Sequence, residues 1–136
     1  MQAQKANQVA LRKDYQEELL ESQAWLQEAQ ALDAASNAVV DLVHAGRLDE
    51  AEQAARELLV RYPEVHDGYD RLGMVHEARG QFREAAECYR KVIEFTRASP
   101  EDYDAGFVDG FLELIAKLEA CAVEAQRAVN DDDRPG

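Results

Sequence analysis

Basic residues, helix breakers and thiols are all scarce in this chain. Its 15 Lys and Arg face 28 Asp and Glu, a net charge of −13. A nucleic-acid backbone would be repelled by that total unless a local basic face outweighed it, and the sequence has no such face. Seven Gly and three Pro among 136 residues leave few points at which a helix must stop, and 46% apolar residues are enough to supply one core, so a single, mostly helical domain is expected. The two cysteines, Cys88 and Cys121, form no CxxC pair and cannot build a disulfide framework. Each sits among apolar and small residues on an expected helix, which reads as a reduced core thiol. No apolar run reaches the length of a membrane span, and the start from Met1 to Asn7 lacks the apolar run of a secretory signal. The expectation is a cytoplasmic protein with no nucleic-acid and no membrane partner. Catalytic patterns are missing as well. His44, His66 and His76 form neither an HExxH motif nor an i, i+4 pair, and there is no Ser-His-Asp, Cys-His or phosphate-cradling glycine pattern. His66 beside Asp67 and Asp70 reads as a helix start with Asp as cap. No enzyme, metal or cofactor is therefore expected.

What the chain has is a repeated helical pattern. Between His66 and Arg97, Tyr69, Leu72, Gly73 and His76 precede Gly80, and Phe82, Ala85, Tyr89 and Val92 follow it. This puts an apolar stripe at helical spacing on each side of a glycine turn. The same pattern lies 34 residues earlier: Asp33 pairs with Asp67, Gly46 with Gly80, Glu50 with Glu84, Ala51 with Ala85 and Arg56 with Arg90. A glycine that ends a helix in the left-handed region explains both Gly46 and Gly80, and Pro63 stops the second helix of the first copy. Ala51 and Ala85 share a position where a small side chain lets two helices approach closely.

The 34-residue period, the turn glycine, the alanine after it and the order Tyr69, Leu72, Gly73, Gly80, Ala85, Tyr89 resemble the tetratricopeptide repeat. The first copy departs from that pattern, with Ala35, Ala38 and Val39 at the aromatic, Leu and Gly positions. The resemblance implies an all-α solenoid of helix–turn–helix units, repeats at about 32–65 and 66–99, and a capping helix over 100–125 begun by Ser99-Pro100-Glu101-Asp102. It also implies a non-catalytic adaptor that holds a peptide or protein segment in a concave groove. Carried over position by position, the groove residues are Ser36, Asn37, Val40, Val43 and His44, then Asp67, Asp70, Arg71, Met74 and Glu77, then Asp104 and Val108. A groove with that many carboxylates suits a basic or mixed basic and apolar partner.

The flanks complete this outline. Residues 1–31 read as an amphipathic helix with a stripe of Leu11, Tyr15, Leu19, Leu26 and Ala29 edged by Trp25. A break near 32–37, where Asp33, Ser36 and Asn37 are the available caps, gives about six helices in all; an unbroken helix to Ala45 is the other reading. The stripe is longer than the first repeat can cover, so the second functional reading is a structural module that forms a homodimer through Leu11, Tyr15, Leu19, Trp25 and Leu26. Residues 129–136 are charged and rich in breakers, and read as a disordered acidic tail beyond a helical domain over 32–128.

Overall fold

In the computed structural model, which describes residues 2–132 and the side chains of 14–131, five α-helices account for nearly all of the chain. They are α1 (Gln2–His44), α2 (Leu48–Arg61), α3 (Asp67–Ala78), α4 (Phe82–Ala98) and α5 (Ala105–Asp132), with a 3-10 turn at Pro100–Asp102. No strand occurs among the described residues. The chain divides into two compact units, Met1–Ala34 and Ala35–Gly136.

The expected break near 32–37 does not exist. α1 is one helix of 43 residues, and the count falls from six helices to five. One physical reason is local and the other tertiary. Ala31, Ala34, Ala35 and Ala38 surround the would-be caps with the strongest helix former. The Ser36 hydroxyl, which would have had to cap a backbone N–H, instead accepts a hydrogen bond from Arg71 Nε at 2.7 Å.

The two turns are built alike. Gly46 and Gly80 have φ of +75° and +74°. Arg47 N–H reaches Leu42 C=O at 2.9 Å and Gln81 N–H reaches His76 C=O at 2.8 Å; Gly46 N–H bonds Val43 C=O and Gly80 N–H bonds Glu77 C=O, each at 3.0 Å. This is the paired-carbonyl closure of a helix end, in which the left-handed glycine lets two successive N–H groups turn back to satisfy the last carbonyls.

Within the second unit α2 packs on α3, α3 on α4 and α4 on α5. Ala51 and Ala85 are both 0% exposed, as expected of the close helix contacts that the repeat position implies. One core cluster gathers Ala85, Ala86, Tyr89 and Ile93 of α4 against Ile115 and Leu118 of α5, with Phe82, Phe111 and Leu114 packed around them. On the other side of α4, Tyr89 lies on α3. A Cβ added to Gly73 would stand 2.6 Å from Tyr89 Cε1 and 2.8 Å from its Cζ. Alanine in a helix interior normally gains about 1 kcal/mol over glycine, but here the ring is buried and has little room to retreat. Gly73→Ala is therefore expected to reverse the usual sign and cost about 1–2 kcal/mol net, read as a lower urea midpoint with unchanged slope.

The start of α5 corrects a second expectation. Ser99 makes no side-chain cap and Pro100 opens only the 3-10 turn; the helix begins at Ala105, with Asp104 Oδ1 accepting the Phe107 N–H at 2.8 Å. It then runs on to Asp132 instead of ending near Ala125. The first residues of the expected tail are thus helical, and 133–136 lie outside the described residues. The cysteines also divide. Cys88 is buried, its thiol pushed up to about 11 by desolvation, whereas Cys121 is exposed. It occupies a part of α5 that nothing in the core covers.

Candidate functional site

The groove candidates spread over three helices of the second unit, and α3 carries the most chemistry. Its sequence DGYDRLGMVHEA places Asp67, Asp70, Met74 and Glu77 at spacings of three and four, on one face of the helix. All four are half-buried. Burial raises the Asp70 carboxyl from its ordinary value; Arg71 and His66 pull it down, but by less. The carboxylate is partly stripped of water without a cation strong enough to compensate. Arg71, the one Lys or Arg inside α3, is committed elsewhere: Nε to Ser36 and Nη1 to Met74 Sδ at 3.3 Å. Glu77 Oε1 accepts the Tyr89 hydroxyl at 3.1 Å, and that phenol is pushed upward by burial first and by Glu77 second.

The candidates on α1 behave differently from one another. Ser36 is 2% exposed and tied to Arg71, so it serves the contact of α1 with α3. Asn37 and His44 are exposed, and Val40 and Val43 are half-buried. Behind them, Ala35 and Ala38 face Ala54, Leu58 and Tyr62 of the second helix across a small cavity of ≈ 200 Å³. The last two candidates stand just before and within the first turn of α5. Asp104 is exposed and occupied as a helix cap, and Val108 lines a cavity of ≈ 250 Å³ with Ile93, Thr96 and Leu112.

Beside the α3 acids stands an aromatic line. His66 Nδ1 and the Tyr103 hydroxyl share a hydrogen bond of 3.0 Å. The His66 ring meets the edges of Tyr103 and Phe107 at centroid distances of 5.6 and 5.5 Å. Tyr103, Phe107 and Phe111 follow one another at 5.0 and 4.9 Å, and Phe111 reaches Tyr89 at 5.5 Å. Contacts of this kind each contribute about 0.5–1.5 kcal/mol beyond buried area, so the line fixes the start of α5 against the start of α3. In the sequence, Tyr103, Phe107 and Phe111 read as the apolar stripe of the expected capping helix and His66 as part of a helix start. The signal for more was their strict spacing of four. His76, on the apolar stripe before Gly80 in the sequence, is half-buried and shares a hydrogen bond with Gln81 Oε1 at 2.7 Å across the turn.

Among the described residues no group of three or more His, Cys, Asp and Glu is placed to hold a metal ion, and no helix is long and apolar enough to cross a membrane. Comparison with known proteins agrees with the second helix pair. Residues 66–98 match the tetratricopeptide repeat family. No curated protein and no solved structure matches the chain.

Proposed function

From a chain that carries a tetratricopeptide repeat over residues 66–98, we propose a non-catalytic protein-interaction module whose α3 face, together with the inner positions of α1 and α5, seats a basic or mixed basic and apolar segment of a partner. The observation that carries this reading is the imbalance on α3. Asp67, Asp70 and Glu77 present carboxylates, Asp70 is partly desolvated, and the only Lys or Arg of the helix is already bonded to Ser36 and Met74. An arriving Lys or Arg supplies the charge that Asp70 lacks, and the aromatic line of His66, Tyr103 and Phe107 offers a flank for the aliphatic stem of such a side chain.

The test uses fluorescence anisotropy with a labelled peptide alternating Lys or Arg with Leu, beside an acidic peptide of equal length. Asp67→Lys combined with Asp70→Lys is expected to weaken the basic peptide on the order of tenfold or more, and added salt to weaken it in the parent chain. Equal affinity for both peptides, or no effect of the double substitution, would place the site off α3.

A second reading, self-association, has its own observation. Tyr15, Leu19, Trp25 and Leu26 are 65, 44, 73 and 51% exposed, a run of large apolar groups that a lone helix in water has no reason to keep. The side chain of Leu11, the fifth member of that stripe, lies outside the described residues.

A further inference from the structure

The described part of the first unit has a seven-residue repeat. Aligning 14–20, 21–27 and 28–34 stacks Asp14, Glu21 and Glu28 in one column, Gln16, Gln23 and Gln30 in another, and Leu19 over Leu26. A seven-residue repeat drifts by only about 20° per heptad on a straight helix, and its spacing is that of the seam along which two helices wind about each other. The seam of the repeat holds Tyr15, Leu19, Ser22, Leu26, Ala29 and Asp33; all but Ala29 are exposed.

We infer that α1 pairs with α1 of a second copy in antiparallel orientation, with the two-fold axis crossing the helices near Ala24. This rests on the self-association reading and adds its direction and register. Three observations choose the occupant and the arrangement. From Leu19 to Ala29 large and small seam residues alternate, so that an antiparallel pair centred at Ala24 sets Leu19 against Ala29 of the other copy and Leu26 against its Ser22, filling each of these layers with one large and one small group. A parallel pair would set Leu on Leu and leave the Ser22 and Ala29 layers hollow. Asp33 ends the seam: in a parallel pair it meets another Asp33 at close range, whereas in the antiparallel pair it meets Tyr15, whose hydroxyl donates to it. The flanks decide for a second copy over a basic partner. Gln16, Gln23 and Gln30 border one side of the seam with no charge and Glu18, Trp25 and Leu32 border the other, while Asp14, Glu21 and Glu28 sit further round the helix; in the antiparallel pair Glu18 falls level with Gln30 of the other copy and not with an acid, and a basic helix would find a single acid on either border.

Sedimentation velocity and disulfide trapping test the arrangement together. In a chain with the exposed thiol removed by Cys121→Ser, Leu19→Cys and Ala29→Cys are prepared separately. In the antiparallel pair, Leu19 of one copy lies about ten residues, or roughly 15 Å, from Leu19 of the other along the axis, beyond the reach of a disulfide. Each variant alone is expected to give no cross-linked dimer, and a mixture of the two to give the mixed dimer. The parent chain is expected to sediment as a monomer–dimer mixture that shifts toward dimer up to high micromolar concentration. Rapid cross-linking of each variant with itself would overturn the antiparallel arrangement and leave self-association standing. A dimer that traps in neither sample would move the interface off this seam and overturn the inference. A monomer at every concentration would remove both the inference and the reading beneath it, and would assign the face to a different partner.

Discussion

Tyr89→Ala is expected to cost about 3–5 kcal/mol. The side chain is 2% exposed and does three things at once. Its ring covers Gly73 so closely that α3 has no room there for even a methyl group. Its far side meets Phe111 of α5 at 5.5 Å, and its hydroxyl holds Glu77. Removing it opens a void between three helices that cannot collapse without moving them. A small domain has about 5–15 kcal/mol in total, so the variant should melt many degrees lower or fail to fold at ordinary temperature. Tyr89→Phe keeps the ring and loses only the hydrogen bond, for about 1 kcal/mol. Thermal and urea unfolding of both variants check the ordering, and a Tyr89→Phe loss as large as that of Tyr89→Ala would show that the phenol, not the packing, holds α3 to α4. In the Tyr89→Ala background, Gly73→Ala should become stabilising, because the clash is gone and only the helix preference of alanine remains.

Ala85→Leu is the second large effect, about 1–3 kcal/mol by overpacking. Ala85 is 0% exposed and sits in the cluster that joins α4 to Ile115 and Leu118 of α5, so added methylenes must push α4 away from a neighbour. Ala120→Leu on the exposed face of α5 is the control and should stay within about 0.5 kcal/mol of the parent. An unchanged melting midpoint for Ala85→Leu would mean that the shared alanine position is not a close helix contact.

The second helix pair could be read from the sequence because its information is local. Gly80 marks a backbone conformation that favours glycine, and Ala85 and Tyr89 mark a close contact and its cover, all within 34 residues. The uncertain break in α1 shows the limit of cap residues as signals. Ser36 has the right chemistry for a cap, but its hydroxyl is claimed by Arg71, 35 positions away, and no local rule contains that competitor. The start of α5 was misplaced for a related reason. Ser99-Pro100-Glu101-Asp102 satisfies every helix-start preference, yet Asp104, five residues further on, supplies the cap, and Tyr103 is drawn aside to His66. The aromatic line was half legible: its α5 members recur every four residues, whereas His66, which ends it, lies 37 positions from Tyr103. The α3 acids follow from repeat position alone; that the Arg71 hydrogen bonds go to Ser36 and Met74 and leave Asp70 only partly compensated is tertiary information.

The two turns at Gly46 and Gly80 are one joint under two different sequences. Each is closed by main-chain N–H and C=O groups and asks only for a residue that tolerates positive φ. A joint made of backbone is indifferent to the side chains on either arm. The helix before Gly46 carries Ala35, Ala38 and Val39 where the helix before Gly80 carries Tyr69, Leu72 and Gly73, yet the two bends share nearly the same dihedral and the same pair of bonds. The hinge is the fault-tolerant part of the pattern.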